Sequence, residues 1–419
     1  MNDLELFLPC AAGVEPWLAD EAQRITGLGP SQVLATRTGV QVRATWRDAM
    51  LLNLHSRLAQ RVLVRLSHTP YRQEQDLYEA ASAVAWEIWF QTRQTFRIDI
   101  TAQRSPLKSL NFAALRIKDA VADRFRNRLG ERPSVDTLRP DVRLYAHLTA
   151  EHLSLYIDTS GEPLFKRGWR ADKGDAPLKE TLAAAMIAAS GWDAQQPFYD
   201  PCCGSGTLPI EAAQIACGMA PGSQRRFGFE RLLPHQAHVW RDLWEKARAQ
   251  EHAPTAPVYG SDVAHRMVDF AERNAERAGV AKALQLRGGD ALQRMPPCDT
   301  PGVMLLNPPY GERIAAAGVA GVGREGFVPG RLAAARSGRE QAEGEDGGDF
   351  FLQLAAHWKR HYGGWTAWML SPDPKLPGRM RLKESRRVPM WNGPIECRLM
   401  RFDLSPPRPR EAAAPPEAA

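Results

Sequence analysis

Cysteine is scarce in this chain, and the arrangement of the few that occur argues against a metal site. The 419 residues include six cysteines, with no C-x-x-C pair and no histidine at zinc-ligand spacing: Cys10, Cys202, Cys203, Cys217, Cys298 and Cys397. In a chain of this length such cysteines are typical of reduced thiols. We therefore expect no bound metal and a cytoplasmic protein.

Long hydrophobic runs are missing as well. The apolar run around Leu182 to Ala189 is far too short to span a bilayer. The first residues, Met1 to Glu5, are acidic and contain no signal-peptide core. The sequence thus predicts no membrane contact.

The overall composition is that of a globular protein. Hydrophobic residues make up 44% and charged residues 24%, and the length suggests two or three domains. The net charge is +6 and the isoelectric point about 9.0, so an acidic partner is compatible with the charge balance. Because many basic proteins bind no nucleic acid, the charge alone does not identify that partner.

One motif combines a strand end with polar and aromatic groups. The apolar run Met304–Leu306 is followed by Asn307, Pro308, Pro309 and Tyr310. The prolines end the strand, because proline has no N–H for the ladder. The Asn307 side-chain oxygen and the Pro308 carbonyl are two neighbouring acceptors for an exocyclic –NH2, and the Tyr310 ring can stack on its base. The alternative is a proline-ended strand without chemistry.

A second motif lies upstream, in the run from Phe198 to Pro209. A short strand ends at Asp200, and Gly204 and Gly206 let the backbone turn sharply and approach a ligand closely. No Gly-Lys-Ser/Thr follows, and Pro209 stands at the third glycine position of a dinucleotide fingerprint. The pattern instead fits the amino-acid end of S-adenosylmethionine. A Gly-x-Gly turn alone is weak evidence, whereas its pairing with the Asn307 motif is strong.

The same half of the chain alternates strands and helices, which predicts a parallel, doubly wound sheet. A strand ends at Asp262, where a carboxylate can hold ribose hydroxyls, and another ends at Asp290, which can accept from an adenine amine. Each of these could equally be a helix N-cap. Arg387 to Leu404 suits a final hairpin on the sheet edge.

The N-terminal half has a different pattern. Residues 4–67 follow a βαββαβ order, which is ferredoxin-like, and a second small α/β unit follows. Basic residues gather around its loop and long helix, with Arg116, Lys118 and Arg124 near one helical face; the whole set is Arg104, Lys108, Arg116, Lys118, Arg124, Arg126 and Arg128. Such a patch can track phosphates, although a solvated helix face is the commoner explanation.

We therefore predict five segments. They are a ferredoxin-like region (1–67), a second α+β domain (68–158), a basic linker (159–176), a doubly wound α/β domain (177–404) with a mobile insertion (315–348), and a disordered tail (405–419).

With these motifs in hand, the sequence resembles the class I guanine-N2 RNA methyltransferases with an N-terminal THUMP domain. The stretches that carry the resemblance are Asp200–Thr207, Asn307–Arg313, Pro177–Ala185 and Ala220–Gly222. They are most similar to the guanine-N2 half of bifunctional 23S rRNA methyltransferases, from Leu4 to about Leu404. The half that makes 7-methylguanosine is not among these residues, so that activity is not carried over. The insertion 315–348 departs from the family pattern.

The resemblance implies a Rossmann-like class I methyltransferase sheet, preceded by a ferredoxin-like and THUMP region that grips RNA. It implies catalytic roles for Asn307, Pro308, Pro309 and Tyr310, and RNA contacts for Arg104, Lys108, Arg116 and Lys118. It implies S-adenosylmethionine binding by Lys179, Glu180, Thr181, Asp200, Cys202, Gly204, Gly206, Thr207, Asp262, Asp290 and Ala291. The product would be N2-methylguanosine in domain V of 23S rRNA or of a large-subunit assembly precursor, and no obligate protein partner is implied.

Two other functions remain open at this point. The first is another amine methyltransferase that carries Asn-Pro-Pro-Tyr and acts on adenine N6 of DNA or on a protein glutamine. The second is an RNA-binding ribosome-assembly factor whose methylation is incidental. The N-terminal RNA-gripping region argues against the first, and the intact motifs argue against the second.

Overall fold

The computed structural model describes residues 4–174, 177–308 and 347–405, without the side chains of 347–349. The chain divides into two compact units. The first comprises Met1–Arg170, Lys179–Ala188 and Cys217–Ala253, and the second comprises Ala171–Leu178, Ala189–Ala216 and Pro254–Ala419.

The first unit begins with the predicted βαββαβ order. Its elements are β1 (Leu4–Pro9), α1 (Glu15–Thr26), β2 (Val33–Thr36), β3 (Gly39–Ala44), α2 (Trp46–His55) and β4 (Leu63–Pro70). Local chemistry sets the helix ends: Gly27 ends α1 in the left-handed conformation, at φ +73°, and Thr45 and Asp48 form a capping box at the start of α2. The ferredoxin-like order is confirmed.

The rest of this unit consists of the predicted second α/β region (68–158) and two helices from later in the chain. Its elements are α3 (Glu74–Ala83), β5 (Phe96–Ala102), α4 (Leu110–Leu129), β6 (Val142–Leu148), β7 (His152–Asp158), α5 (Glu180–Ser190, shared with the second unit at its end) and α7 (Ala237–Ala249). The sequence pattern predicts a helix from Asp76 to Ile88, but the structure ends this helix at Ala83. A 3₁₀ turn at Trp86–Ile88 replaces its end, with the Trp86 indole donating to Ala81 O at 2.8 Å.

One sheet of seven strands runs through the whole first unit, in the order β2-β3-β1-β4-β7-β6-β5. Strand β4 pairs antiparallel with β7 and thereby joins the ferredoxin-like strands to those of the second region. The sequence predicted the two regions separately, because this pairing joins residues about ninety positions apart in the chain.

The second unit contains a separate sheet of seven strands. Its strands are β8 (Phe198–Asp200), β9 (Val258–Asp262), β10 (Leu284–Gly288), β11 (Val303–Leu306), β12 (Thr366–Ser371), β13 (Arg386–Asn392) and β14 (Ile395–Asp403). Its helices are α6 (Thr207–Ala216), α8 (His265–Arg277), α9 (Gly347–His361) and α10 (Leu376–Met380).

The strand order of this sheet is β10-β9-β8-β11-β12-β14-β13. Strands β8 to β12 are parallel, and β14 and β13 form the antiparallel hairpin predicted at the edge. The order reverses between β8 and β11, which is the switch point where open α/β sheets bind ligands. The doubly wound prediction is confirmed.

Buried aromatic and sulfur side chains pack α9 against this sheet. Trp358 and Tyr362 meet Met304, Leu306 and Met369 from the neighbouring strands β11 and β12. Burial of each such apolar side chain stabilises the fold by about 1.5–3 kcal/mol. The strand that precedes Asn307 is therefore firmly held.

Two features differ from the sequence expectation. Helix α7 was not predicted, although Trp240, Leu243, Trp244 and Ala247 have helical spacing. The predicted linker is packed where it is described: Arg167 is buried and donates to Leu164 O and Arg57 O at 2.9 and 2.8 Å.

The structure leaves some predicted features untested. Most of the predicted insertion and nearly all of the tail lie outside the described residues. Among the described residues, no helix is long and apolar enough to cross a membrane.

Candidate functional site

Three acidic residues stand at one edge of the second sheet. Asp200 ends β8, Asp262 ends β9, and Asp290 follows β10. The parallel registers pair Asp200 with Gly260 and Asp262 with Gly288. Because the carboxyl ends of parallel strands share one edge, the fold brings these three predicted cofactor residues to the edge that contains the switch point, with Asp200 directly beside it.

The glycine loop after β8 is tied to β9 by hydrogen bonds that its backbone N–H groups donate. Cys203 N donates to Ser261 O at 2.9 Å, and Gly204 N donates to Asp262 Oδ2 at 2.9 Å. Within the loop, Gly206 N donates to Cys203 O at 2.9 Å. Asp262 therefore fixes the glycine loop to β9.

The two glycines of this loop face different surroundings. Gly204 adopts φ +53°, and a Cβ built on it would meet no described atom within 4 Å. Gly206 adopts φ +89°, and a Cβ there would lie 2.9 Å from Ala271 Cβ and 3.1 Å from Ile210 Cδ1. The expectation of close ligand approach fits Gly204. For Gly206 that expectation stays a prediction, and its missing side chain lets α8 and α6 pack.

Asp200 is a buried carboxyl group with 2% exposure. Its Oδ1 accepts from Cys202 N at 3.0 Å. Burial raises the pKa of Asp200 well above its ordinary value, and the nearby Asp262 charge raises it further. Burial also raises the pKa of Asp262. A cationic group placed here would stabilise the ionised form of Asp200.

The vicinal thiols of this loop are poor nucleophiles. Burial raises the pKa of Cys202 and of Cys203 well above the ordinary thiol value, and the neighbouring carboxylates raise both further. Both thiols therefore stay protonated near neutral pH. The Cys202 backbone N–H donates to Asp200, and Thr207 starts the helix that follows; a cofactor role for both stays a prediction.

The turn after β10 is anchored to α9. Asp290 Oδ1 accepts from Leu292 N at 2.9 Å, while Ala291 packs in the core. The carbonyl oxygen of Arg294 accepts from His357 Nε2 at 2.7 Å and from the Tyr362 hydroxyl at 2.8 Å. These long-range contacts hold the acidic turn, and the sequence motif alone did not indicate them.

Asn307 follows β11 at the same sheet edge. Its Oδ1 is buried and has no hydrogen-bond partner among the described residues. Leaving a buried acceptor unpaired costs about 1–3 kcal/mol, and at this sheet edge a bound ligand could supply the missing donor. Pro308 is buried beside it, and Pro309 and Tyr310 lie outside the described residues.

The remaining predicted cofactor residues belong to the first unit. Glu180 is buried, and its carboxylate accepts from Arg170 Nε at 2.7 Å. The Lys179 ammonium lies 5.3 Å from the centre of the Phe165 ring. Thr181 is also buried. A cofactor role for Lys179, Glu180 and Thr181 stays a prediction.

Two of the residues predicted to contact RNA line a concave surface beside α4, and the pocket that this surface forms has a volume of about 520 Å³. Arg116 lies over the Tyr78 ring, 4.8 Å from its centre, and Lys118 pairs with Asp119 at 2.7 Å. The surface also includes Arg126 and Arg132. Arg132 was not predicted, because it lies beyond the end of α4, where helical spacing no longer indicates which residues share a face.

The other two predicted contacts lie in the loop between β5 and α4. Arg104 and Lys108 are both exposed there, and Arg104 adopts φ +59°, which non-glycine residues seldom do. Arg124, in contrast, donates to both carboxylate oxygens of Glu87, at 3.1 and 2.6 Å. The Arg124 guanidinium is therefore held by a carboxylate of the same unit, and its part in the basic patch stays a prediction.

Three domain families match the chain. The RlmL ferredoxin-like domain matches residues 5–63, the THUMP domain matches residues 71–158, and the RMKL-like methyltransferase domain matches residues 167–320.

A curated relative is the ribosomal RNA large subunit methyltransferase K/L of Psychromonas ingrahamii. It is 35% identical over 419 aligned residues, which cover 98% of this chain and 52% of the relative. The chain thus spans about half the length of the curated relatives it matches.

Two solved structures are similar over almost their whole length. The structure of SMU.472 complexed with SAH (S-adenosylhomocysteine) has a TM-score of 0.82 at 24% identity. The match covers 97% of this chain and 100% of the SMU.472 chain. A predicted N6-adenine-specific DNA methylase from Listeria monocytogenes has a TM-score of 0.79 at 25% identity, covering 96% and 97%.

The expected fold is confirmed by these likenesses, and all three domain families occur in the expected order. The chain therefore contains an RlmL ferredoxin-like domain, a THUMP domain and an RMKL-like methyltransferase domain, in that order.

Proposed function

We propose that this chain transfers a methyl group from S-adenosylmethionine to the exocyclic N2 of a guanine in domain V of 23S rRNA, making N2-methylguanosine. The observation that carries the proposal is the buried, unpaired Oδ1 of Asn307 at the switch-point edge. An acceptor in that position fits an amine that brings its own N–H donors. The K/L relatives are named for methylation of large-subunit ribosomal RNA, which supports the substrate class.

The residues at the sheet edge fit S-adenosylmethionine. The Asp200 carboxylate suits its ammonium group, and the open space beside Gly204 leaves room for close approach. Asp262 and Asp290 can each accept a further hydrogen bond, from ribose hydroxyls and from the adenine amine. When bound, the cofactor supplies an electrophilic methyl group. SMU.472 was crystallised with SAH, which makes SAH a suitable probe.

The chain contributes to the reaction mainly by positioning the acceptor. Asn307 Oδ1 and the Pro308 carbonyl would accept both amine hydrogens of guanine, which draws N2 toward sp³ geometry and aims its lone pair at the methyl group. Tyr310 would hold the flipped base by stacking. No strong base is required, because the nitrogen becomes acidic as the new bond forms and its proton can pass to water.

We assign RNA binding to the first unit. A concave surface bearing Arg116, Lys118, Arg126 and Arg132 suits a phosphate backbone. The partner is then 23S rRNA or a large-subunit assembly precursor in the cytoplasm, with no membrane and no obligate protein partner.

A second candidate is methylation of adenine N6. The Listeria monocytogenes neighbour is described as a predicted N6-adenine-specific DNA methylase, and an adenine amine can also donate two hydrogen bonds to Asn307 and Pro308. The THUMP match favours RNA over DNA. Assays on 23S rRNA, on DNA and on a glutamine-containing protein substrate, run in parallel with purified enzyme, separate these candidates.

Replacing Gly204 with alanine should lower the affinity for SAH by about tenfold or more, equivalent to 1.4 kcal/mol. The added methyl group enters the open space assigned to the cofactor. Gly191→Ala is the matched control, because Gly191 also has a positive φ, +74°, and no atom within 4 Å of a built Cβ. Both variants carry a similar backbone strain. Equal calorimetric affinities for Gly204→Ala and Gly191→Ala would remove Gly204 from the cofactor site.

SAH binding should weaken as the pH falls toward the ordinary aspartate range near 4. The raised pKa of Asp200 means that the free protein protonates this carboxyl early, and a neutral carboxyl cannot pair with an ammonium group. The stability of the ligand-free protein depends on pH in the opposite direction. Because the pKa of Asp200 is raised in the fold, the free energy of unfolding falls as rising pH ionises this buried carboxyl. Calorimetry between pH 4.5 and 7 measures the trend. Asp200→Asn should bind weakly with a flat profile, and a wild-type profile in that variant would contradict the assignment.

Neutralising Lys108, Arg116 and Lys118 together should weaken RNA binding and flatten its salt dependence. Each lost phosphate contact lowers the slope of log K against log salt by roughly 0.7–0.9. A triple variant at Arg226, Lys246 and Arg248, all exposed in the same unit, removes equal charge as the control. SAH affinity should not change in either variant. An unchanged salt slope in the first variant would make the cluster a solvated face.

A further inference from the structure

The glycine loop of the second unit is tied to a buried side chain that belongs to neither motif. Asn274 on α8 has 0% exposure. Its amide nitrogen donates to Ser205 O at 3.0 Å and to Asp172 O at 2.8 Å. Ser205 stands between the two glycines of the loop. One side chain thus joins α8, the loop and the segment 171–174.

The oxygen of the same amide is used as well. Asn274 Oδ1 accepts from Arg277 Nη2 at 2.6 Å and from the backbone nitrogens of Ala171 and Asp172, both at 3.3 Å. The Asp172 carboxylate pairs with Arg273 at 3.0 Å and with Arg277 at 2.6 Å. These guanidinium groups lower the pKa of Asp172 to about 2, so it stays ionised near neutral pH. Charge and hydrogen bonds both fix the segment to α8.

The loop needs such restraint because of its composition. Gly204 and Gly206 both adopt positive φ, and glycine has more backbone freedom than any other residue. Asp262 holds the N–H side of the loop through Gly204 N. Asn274 holds its carbonyl side through Ser205 O.

We propose that Asn274 is a positioning residue for S-adenosylmethionine. It sets the orientation of the Ser205 carbonyl and, through it, the backbone path at Gly204, where the cofactor approaches. This inference rests on the proposed function. Asn274 touches neither cofactor nor substrate in this account, so its effect reaches the reaction through the loop.

Asn274→Asp tests the proposal with little change in volume. The variant keeps the acceptor contacts but sets a carboxylate oxygen against the carbonyl oxygens of Ser205 and Asp172. With two donor bonds lost, we expect the SAH dissociation constant and the KM for S-adenosylmethionine to rise about tenfold or more. The kcat at saturating cofactor should change by less than about threefold, since the residues that align the amine are untouched.

Asn53→Asp is the matched control. Asn53 in the first unit is equally buried, and its amide nitrogen donates to Ala49 O and Thr159 Oγ1, both at 2.8 Å. Its substitution carries a similar folding cost, followed by melting temperature, and should leave SAH affinity unchanged. If Asn274→Asp does not fold, Asn274→Ser keeps one donor and should show the same split with a smaller loss.

The possible outcomes distinguish failure of the proposed function from failure of the positioning role of Asn274. Failure of the wild-type chain to bind SAH would remove the proposed function and this inference with it. Wild-type binding together with an unchanged SAH affinity in Asn274→Asp, or a loss in kcat without one in KM, would overturn the positioning role alone.

Discussion

Asn307→Ala should lower kcat by on the order of 10²–10³, the usual cost of removing one preorganised charge-aligning contact. The substitution deletes the buried Oδ1 that has no partner among the described residues. The loss should appear in kcat and not in SAH affinity, because the hydrogen bond orients the acceptor nitrogen in the transition state while the cofactor loop stays intact. Single-turnover methylation of 23S rRNA with saturating S-adenosylmethionine measures the effect.

Gln214→Ala provides a matched control for this loss. Gln214 on α6 also has a buried side-chain oxygen without a partner among the described residues, but it lies away from the strand ends. Its substitution should change stability and leave the methylation rate near the wild-type value. A near-normal single-turnover rate for Asn307→Ala would remove the amine-orienting role.

Tyr310→Ala should be the second severe change, and Tyr310→Phe should be mild. Stacking of a base on an aromatic ring is worth about 1–3 kcal/mol, so its loss lowers kcat/KM by roughly 5–150-fold. The Phe variant keeps the ring and loses only the hydroxyl. Steady-state methylation of 23S rRNA by both variants measures the difference.

Comparing the loss of activity in Tyr310→Ala and Tyr310→Phe distinguishes a stacking role of the ring from a chemical role of the hydroxyl. SAH affinity should be unchanged in both, which serves as the control for folding and cofactor binding. Equal damage from Tyr310→Phe and Tyr310→Ala would mean that the phenol takes part in the reaction, and the positioning mechanism would then be wrong.

The sequence predicted the features that depend on short stretches of chain. Asp200, Asp262 and Asn307 each stand directly at a strand end, and strand ends are readable from apolar runs stopped by glycine, proline or a carboxylate. Parallel alternation then placed all three at one edge. The same local logic recovered the ferredoxin-like order of residues 4–67 and the final hairpin.

Features that depend on distant residues were not predictable in this way. Gly204 and Gly206 share one motif, yet only contact with Ala271 on α8 distinguishes their roles. Nothing near Arg124 in the sequence indicates that its guanidinium pairs with Glu87, which lies 37 positions earlier in the chain.

The sequence also did not indicate which of the two units each segment belongs to. Residues 217–253 follow a strand and helix of the second unit but pack with the first. A single sequence carries no record of such pairings, because they join residues far apart in the chain.

The central claim is best tested by identifying the methylated product directly. Purified protein is incubated with S-adenosylmethionine carrying a labelled methyl group and with 23S rRNA, and the RNA is digested to nucleosides for mass spectrometry. The account predicts the label in N2-methylguanosine at one site, with none in an Asn307→Ala control. Label in N6-methyladenosine, or label found only in DNA or in protein glutamine when those substrates are offered instead, would contradict it.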